Sequence, residues 1–340
     1  MADSVLYFPM IRPPESAWFA RVLLYWDKVG TMMPAQYSED HAFLQPYTSA
    51  LVREGLLTVV PPDESVWRSG ATNYFDAFLA LVDSDPFGVR QEPANEREWA
   101  SVHVDKTGLG LAMALEDRGL AERYQGAEYA AWVQVEHHTA DLLMAFLASI
   151  VGKDPNVVMD PITDSEASMA AFTTLPEQDR QINAELEPIR SALLDDVLPG
   201  PTSEIDFGKL AKFKAKHREL LLSFRRCVER EAVGCAQIDD PRLRTRQVEI
   251  AHATLADQVR EIEGRMSERR LGPVTRGTIG VVAASLTVAD LVVTGGSTLA
   301  LTSGGLGLAS ATDAAFQGTR RQDILKNPLA YAALAQRQFA

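Results

Sequence analysis

Residues 5–29, VLYFPMIRPPESAWFARVLLYWDKV, place a short run of β-forming residues directly before a helical pattern. The run VLYFPMI (5–11) is followed closely by Pro13 and Pro14, which predicts a strand and then a break in regular structure. Residues 15–29 repeat large apolar side chains every three or four positions, which predicts an amphipathic helix. A strand followed by a helix favours a mixed α/β unit at the start of the chain.

The same alternation continues through the first 200 residues. Further strands are predicted at apolar or β-branched runs, namely 56–60, 99–104, 128–136 and near 191–198. Helices are predicted where apolar residues recur at helical spacing, namely 39–54, 65–82, 109–118 and 138–152. The pattern predicts an α+β protein whose residues 1–200 form a mixed α/β domain with one small sheet of about four or five strands.

Two long helical patterns follow, and each carries an apolar seam with alternating spacings of three and four residues. The seam positions are Asp206, Leu210, Phe213, His217, Leu220, Phe224, Cys227 and Glu231, then Val248, His252, Leu255, Val259, Ile262 and Met266. Asp240 and Pro241 suit the start of the second helix. Residues 205–272 are therefore predicted to form an antiparallel helical hairpin that needs a partner surface for its seam.

Three polar residues interrupt these seams, His217, Cys227 and His252. In a paired-helix seam such residues usually fix the register of the pair, and we assign them that role. If the hairpin turns near Asp239, His252 falls level with Cys227. A metal-binding, pH-sensing or redox-sensing pair is the alternative for these two side chains.

The segment 277–318 has no Lys or Arg and is rich in small and apolar residues. The positions that bear on membrane insertion or helix packing are small residues, a Gly-Gly pair that interrupts the helical pattern, and one aspartate. They are Gly280, Ala284, Asp290, Gly295, Gly296, Gly307, Ala311 and Ala315. Small residues four apart let helices approach closely. Residues 273–340 are predicted to form a Gly/Ala-rich helical hairpin, buried in protein, and a C-terminal docking helix. Insertion into a membrane is the alternative, although each arm is short and Asp290 is costly in lipid.

Charge is unevenly distributed along a chain whose net charge is −13. Residues 1–206 hold 13 Lys+Arg and 33 Asp+Glu, whereas residues 207–276 hold 16 and 10. An acidic front half argues against nucleic-acid binding, while the basic stretch could face an anionic membrane surface. Two cysteines and the absence of a secretory signal pattern in MADSVLYFPMIRPP predict a cytoplasmic protein, with membrane association as an alternative.

Residues that could carry chemistry are sparse. His137 and Asp141 are four apart and could share a metal ion, but no further ligand is spaced to complete a site, so neither a metal nor a cofactor is expected. Asp160, Asp164 and Glu166 could do acid–base work or hold Mg²⁺, although Asp and Thr in this setting commonly cap a helix, here one beginning near Ser165. With His103 and His137, Asp160 and Asp164 are the candidates for a carboxylate/His enzyme site in the front domain.

Several strings together resemble a bacterial family designated only as a domain of unknown function. They are LYFP (6–9), LLYWDKVG (23–30), ADLLMAFLA (140–148), DPITD (160–164), FKAKHRELLLSFRR (213–226) and NPLAYAAL (327–334). The resemblance covers nearly the whole chain. It implies one architecture that includes the apolar segment, but no activity, substrate or catalytic residue.

The first function hypothesis is a non-enzymatic interaction or scaffold protein. It would self-associate as a homo-oligomer, or bind a protein partner, through its helical C-terminal region. A conditional membrane-inserting effector in stress or phage defence, using the segment 277–318, is the second hypothesis. The third hypothesis is an enzyme with its site in the front domain.

Overall fold

The computed structural model describes residues 3–34, 44–68, 74–89, 97–123, 131–177, 186–200, 205–268 and 324–340. The described strands are β1 (Ser4–Tyr7), β2 (Lys28–Met32), β3 (Leu57–Val60), β4 (Trp99–His103), β5 (Ala121–Arg123), β6 (Trp132–Glu136) and β7 (Asp160–Ile162). Helices of the front half are α1 (Ala17–Tyr25), α2 (Pro46–Arg53), α3 (Pro62–Arg68), α4 (Tyr74–Asp83), α5 (Val104–Thr107), α6 (Leu109–Glu116), α7 (His137–Gly152), α8 (Glu166–Thr174) and α9 (Glu187–Leu194). Those of the last part are α10 (Phe207–Lys216), α11 (Arg218–Ala236), α12 (Pro241–Glu268) and α13 (Ala330–Phe339).

The strands form two sheets of different kinds. The first has four parallel strands in the order β3-β2-β1-β7, and the second has three antiparallel strands in the order β4-β6-β5. The predicted α+β class is confirmed, but the strands do not share one sheet. From β1 the chain continues to β2 and β3 on one side, whereas β7 pairs with β1 on the other side. The strand order therefore reverses between β1 and β7.

Alternate residues of β1 enter two different hydrophobic cores, as strand geometry requires. Leu6 faces the core that contains α7, α8 and the antiparallel sheet. Helix α7 can lie there because its sequence is apolar nearly all round, and 13 of its residues are buried. Thus α7 contacts strands of both sheets and separates the two.

Val5 and Tyr7 face the other core, which the front half shares with the C-terminal helices. Tyr331 of α13 is fully buried, and its hydroxyl donates to the carbonyl oxygen of Leu24 over 2.7 Å. Its ring stacks on Phe224 of α11 at a centroid distance of 5.8 Å. Helix α13 therefore covers α1, and the two ends of the chain contribute to one core.

A buried ionic cluster joins α1, α9 and α11. Arg190 donates from Nε and Nη2 to the two carboxylate oxygens of Glu229, at 2.6 and 3.0 Å, and from Nη1 to Glu187 at 2.5 Å. The Tyr25 hydroxyl donates to Glu229 over 2.8 Å, and the Arg190 guanidinium lies 4.9 Å from the Trp26 ring. The charges satisfy one another where water is excluded, so the cluster fixes how the hairpin sits on the front half.

The acidic front and the basic hairpin also meet through the amino-terminal strand and the start of β2. Arg225 donates to Asp3 over 2.8 Å, and Lys214 donates to the carbonyl oxygens of Trp26 and Asp27 at 2.6 and 3.2 Å. Burial lowers the pKa of Lys214 to about 8, although the Asp27 charge opposes the shift. Lys214 and Arg225 of the hairpin thus bind the front half rather than solvent.

In the front half one predicted helix is too long, one predicted strand is helical, and three strands were not predicted. The predicted helix at 15–29 ends at Tyr25, and the first of the missed strands begins at Lys28. The strand predicted near 191–198 is instead the end of helix α9 and the turns after it, because buried Arg190, Leu193, Leu194 and Val197 follow the three- and four-residue spacing of a helix. The three-residue strands β5 and β7 were also missed, since so short a run gives no periodic signal.

The predicted helical hairpin is present in α10–α12, with one interruption. The helix is interrupted at His217, between α10 and α11. After it, Leu221 and Val228 are buried in place of the predicted seam residues Leu220 and Cys227, while Phe224 is buried as predicted. Asp240 caps α12 as predicted, accepting from the backbone nitrogens of the second and third residues after it. The seam of α12 packs against α9, α11 and α13 of the same chain.

The register residues lie in different settings. His217 is buried beside Phe213, and burial lowers its pKa to about 4. The His252 ring nitrogen Nε2 lies 2.8 Å from the carbonyl oxygen of Asp195, so this side chain ties α12 to the turn after α9. Cys227 is half-buried on α11.

The predicted Gly/Ala-rich hairpin, including Gly280 to Ala315, lies outside the described residues. Among the residues that the structure does describe, no helix has both the length and the apolar composition needed to cross a membrane. The C-terminal docking helix is present as α13. Self-association through the C-terminal region stays a prediction.

Candidate active site

A cavity of about 810 Å³ lies at the carboxyl edge of the parallel sheet, opposite the antiparallel sheet. Its walls come from the ends of β1, β2 and β7, from β4 and β6, and from α5 and α7. The polar side chains among its lining residues are Tyr7, Arg12, Gln45, Thr48, Ser101, His103, Lys106, Trp132, His137, Asp141, Asp164 and Ser165. Ligands of open α/β sheets bind outside the carboxyl ends of the strands where the strand order reverses, and β1 and β7 meet at such a point here.

The segment after β1 forms one wall of the cavity. The peptide bond between Phe8 and Pro9 is cis, and the Phe8 nitrogen continues the sheet by donating to the Ile162 carbonyl oxygen over 3.1 Å. The Thr31 hydroxyl, at the end of β2, donates to the carbonyl oxygens of Met10 and Ile11 at 3.4 and 3.3 Å. The wall is thus held by a backbone hydrogen bond to the end of β7 and by side-chain hydrogen bonds from β2.

Lys106 lies on the short helix α5 and is only 5% exposed. Its Nζ donates to the carbonyl oxygen of Pro9 over 3.1 Å and lies 3.8 Å from the sulfur of Met144, and both residues line the cavity. Neither partner carries a negative charge. Burial therefore lowers the pKa of the Lys106 amine to about 7, and a large share of it is uncharged at neutral pH.

His137 and Asp141 lie one turn apart at the start of α7. The His137 Nε2 atom is 3.5 Å from Oδ2 of Asp141, and Asp141 Oδ1 accepts a hydrogen bond of 2.7 Å from the fully buried hydroxyl of Ser168. Buried Oδ2 makes no hydrogen bond with any described residue. A carboxylate that is oriented by Ser168 and faces a half-exposed imidazole can hold that ring and accept a further hydrogen bond from a ligand.

The Glu136 side chain fixes the start of α7 and therefore the positions of His137 and Asp141. It caps α7, accepting from the backbone nitrogens of His138 and Thr139 at 2.9 and 2.8 Å. Strand β6 therefore runs directly into α7 without a loop. This places His137 at the first turn of the helix, beside the mouth of the cavity.

Two further polar groups line the cavity from opposite sides. The Tyr7 hydroxyl donates to Oδ1 of Asp164 over 3.1 Å, and burial together with that carboxylate raises the pKa of Tyr7. His103 packs edge-on against Trp132, with ring centroids 5.1 Å apart. Its Nδ1 accepts from the Asp105 backbone nitrogen over 3.2 Å, and burial lowers its pKa, so the neutral ring carries its proton on Nε2.

The structure brings together four of the residues proposed from the sequence. His103, His137, Asp141 and Asp164 all line the one cavity. Asp160 instead lies in β7, paired with Val5, where its backbone extends the parallel sheet. Glu166 is exposed at the first turn of α8. This helix begins after Ser165 as predicted, but Ser165 itself is the cap, accepting from the Ser168 nitrogen, rather than an Asp or Thr.

Sequence analysis missed Lys106, Tyr7 and Trp132. Tyr7 lies inside the predicted strand 5–11 and is the last residue of β1 in the structure, so the predicted strand was a partial signal for its position. A lone lysine in a four-residue helix gives no such signal. Among the described residues no group of three His, Cys, Asp or Glu side chains is arranged to hold a metal ion.

Comparisons with known protein families, with curated proteins and with solved structures found no match to this chain.

Proposed function

We propose that this protein is an enzyme that acts on a small polar organic molecule held in the cavity. The observation that carries the proposal is the convergence of a buried amine, a His–carboxylate pair and a Tyr–carboxylate pair on one cavity. These groups come from strands and helices far apart in sequence. The cavity is partly open to solvent, and its volume of about 810 Å³ falls within the range of small-molecule sites.

The loss of folding stability that these buried polar groups cause supports a catalytic role. Burying an amine away from a counter-charge and leaving a buried carboxylate oxygen without a partner both lower stability. Stability alone would favour apolar residues at Lys106 and Asp141. Perturbed titratable groups that face a cleft are typical of acid–base and nucleophilic sites.

The proposed roles follow from the geometry. His137 exchanges protons with the substrate, and the Asp141 carboxylate, 3.5 Å away, favours the protonated ring by its charge. Lys106 acts as an uncharged amine inside the cavity. Asp164 and the Nε2–H of His103 bind polar groups of the substrate, and the hydrophobic side chains of Met33 and Met144 exclude water.

The test uses two matched substitutions on the antiparallel sheet. Ser101 lines the cavity and is exposed on β4, so Ser101→Phe narrows the cavity without disturbing a core. Glu122 lies on β5, two strands away across Gln134, and does not line the cavity. Glu122→Phe is therefore the control for an added aromatic ring on an exposed strand.

Saturation-transfer NMR would screen the wild-type protein against a library of sugars, keto acids, amino acids and nucleosides. We expect at least one binder that is lost in Ser101→Phe and retained in Glu122→Phe. Asp141→Asn should weaken that binder or abolish its turnover. A library without any binder sensitive to Ser101→Phe would contradict the proposal.

A further inference from the structure

We propose that Lys106 forms an imine with the carbonyl carbon of a small polyhydroxylated aldehyde or ketone, that is, an aldose or ketose. This inference rests on the proposed function, because it names the substrate class and the covalent step of the same site. It is carried by the position of the Lys106 amine in the cavity wall and by the hydroxyl-binding groups around it.

The surroundings of the amine suit a nucleophile. The Lys106 Nζ atom has a carbonyl oxygen of Pro9 at 3.1 Å as its hydrogen-bond acceptor, and a thioether at 3.8 Å. A neutral amine can donate one N–H to Pro9 and keep its lone pair available to a ligand. Desolvation of a lysine in an apolar pocket is an established way to make it nucleophilic, and the lowered pKa agrees with this.

The other polar groups of the cavity favour a substrate with several hydroxyl groups. Asp141 Oδ2 is a buried acceptor that needs a donor, and Asp164 adds a second carboxylate to the lining. A carboxylate accepts hydrogen bonds from hydroxyls, so the hydroxyl groups of a sugar suit both side chains. The ring of Trp132 offers an apolar face for the C–H groups of such a molecule.

The covalent step balances without an added oxidant or reductant. The lone pair of Lys106 Nζ attacks the carbonyl carbon, the π electrons of the C=O bond move to oxygen, and one of the two amine protons is transferred to that oxygen. The carbinolamine then loses its hydroxyl group as water, with His137 as the proton donor, and the remaining N–H proton of the nitrogen returns to His137. The products are one imine and one water molecule.

The chain supplies its own control in Lys214. This lysine is also buried, and its pKa is lowered to about 8, but it donates to the carbonyl oxygens of Trp26 and Asp27 and does not line the cavity. Exposed Lys209 serves as the reference for ordinary amine reactivity. A reaction that requires the cavity must distinguish Lys106 from both.

The experiment treats the full chain with glyceraldehyde and sodium cyanoborohydride, which reduces an imine to a stable amine, and measures modification by peptide mass spectrometry. At pH 7 we expect Lys106 to be modified at least about 10-fold faster than Lys209, because an amine of pKa near 7 is about half uncharged and an ordinary lysine is almost fully charged. Lys214 should remain unmodified. Equal labelling of Lys106 and Lys214, or no labelling of Lys106, would overturn the proposal.

Propanal, which has the same number of carbons and no hydroxyls, tests the substrate class. We expect the preference for Lys106 over Lys209 to be larger with glyceraldehyde than with propanal, and Asp141→Asn to remove that difference. If propanal shows the same preference, the hydroxyl-binding part of the proposal is wrong. If Lys106 stays unlabelled while the NMR screen yields a binder sensitive to Ser101→Phe, the imine is refuted and the proposed function stands.

Discussion

Replacing Glu229 by Gln tests the buried cluster that joins the hairpin to the front half. The carboxylate accepts two hydrogen bonds from Arg190 and one from Tyr25, and both ionic side chains are at least nine-tenths buried. Gln keeps the shape but offers one acceptor instead of two and places an amide N–H group against the guanidinium. Removing one partner of a buried ion pair costs about 3–5 kcal/mol. Arg190 keeps Glu187 as a counter-charge in this variant, so we expect a loss at the lower end of that range.

Urea denaturation followed by circular dichroism would measure this loss at pH 7, with Tyr25→Phe as the control. The control removes only the hydroxyl bond and should cost about 1 kcal/mol. A loss below about 1 kcal/mol for Glu229→Gln would refute the view that this cluster holds the two halves together.

The same comparison has a predictable pH dependence. Burial raises the pKa of Glu229, but the hydrogen bonds and charge of Arg190 and the bond from Tyr25 outweigh it, so the pKa lies below its usual value. A carboxyl with a lowered folded-state pKa stabilises the protein above its unfolded pKa of about 4.3 and loses that effect as pH falls through the folded value. The difference between wild type and Glu229→Gln should therefore shrink below about pH 4.

Three further predictions concern stability and can be checked by the same denaturation assay. His217 is buried and has a lowered pKa, so its stabilising effect is lost as pH falls from about 6.5 toward 4, and His217→Phe should flatten that decline. Asp240→Ala should cost about 1 kcal/mol, the usual value for a lost helix cap, and an unchanged midpoint would contradict the capping role. Gly30→Ala would place its Cβ 2.5 Å from the Met159 sulfur and should cost about 1–3 kcal/mol, whereas Gly264→Ala, in a helix with open space, should stabilise by up to about 1 kcal/mol.

The parts of the fold that the sequence predicted correctly have strong local signals. The helix over 138–152 and the seam from Leu255 to Met266 extend over several turns, so their periodicity outweighs local noise. Strand β7 could not be recognised, because it has three residues and contains Pro161, and its pairing with β1 bridges more than 150 residues. The shift of the stripe after His217 depends on a break in the helix that no residue in the sequence marks.

The candidate site was found in part. The sequence singled out His103, His137, Asp141 and Asp164 as chemically capable residues but gave no reason to place them together. Their meeting depends on two sheets that face each other across α7, a tertiary relation with no short-range pattern. The lowered pKa of Lys106 comes from its burial, which depends on the tertiary structure and gives no local sequence pattern.

The contact between Tyr331 and Leu24 has a consequence for synthesis. A ribosome adds roughly 5–20 residues per second, so α1 waits roughly 15–60 seconds for α13 to be made. During that interval the apolar face of α1 has no partner from the C-terminal end of the chain, although β1 and β2 have already left the ribosome. The front half should therefore be a client for chaperones during translation, and a message truncated before α13 should yield an aggregating product.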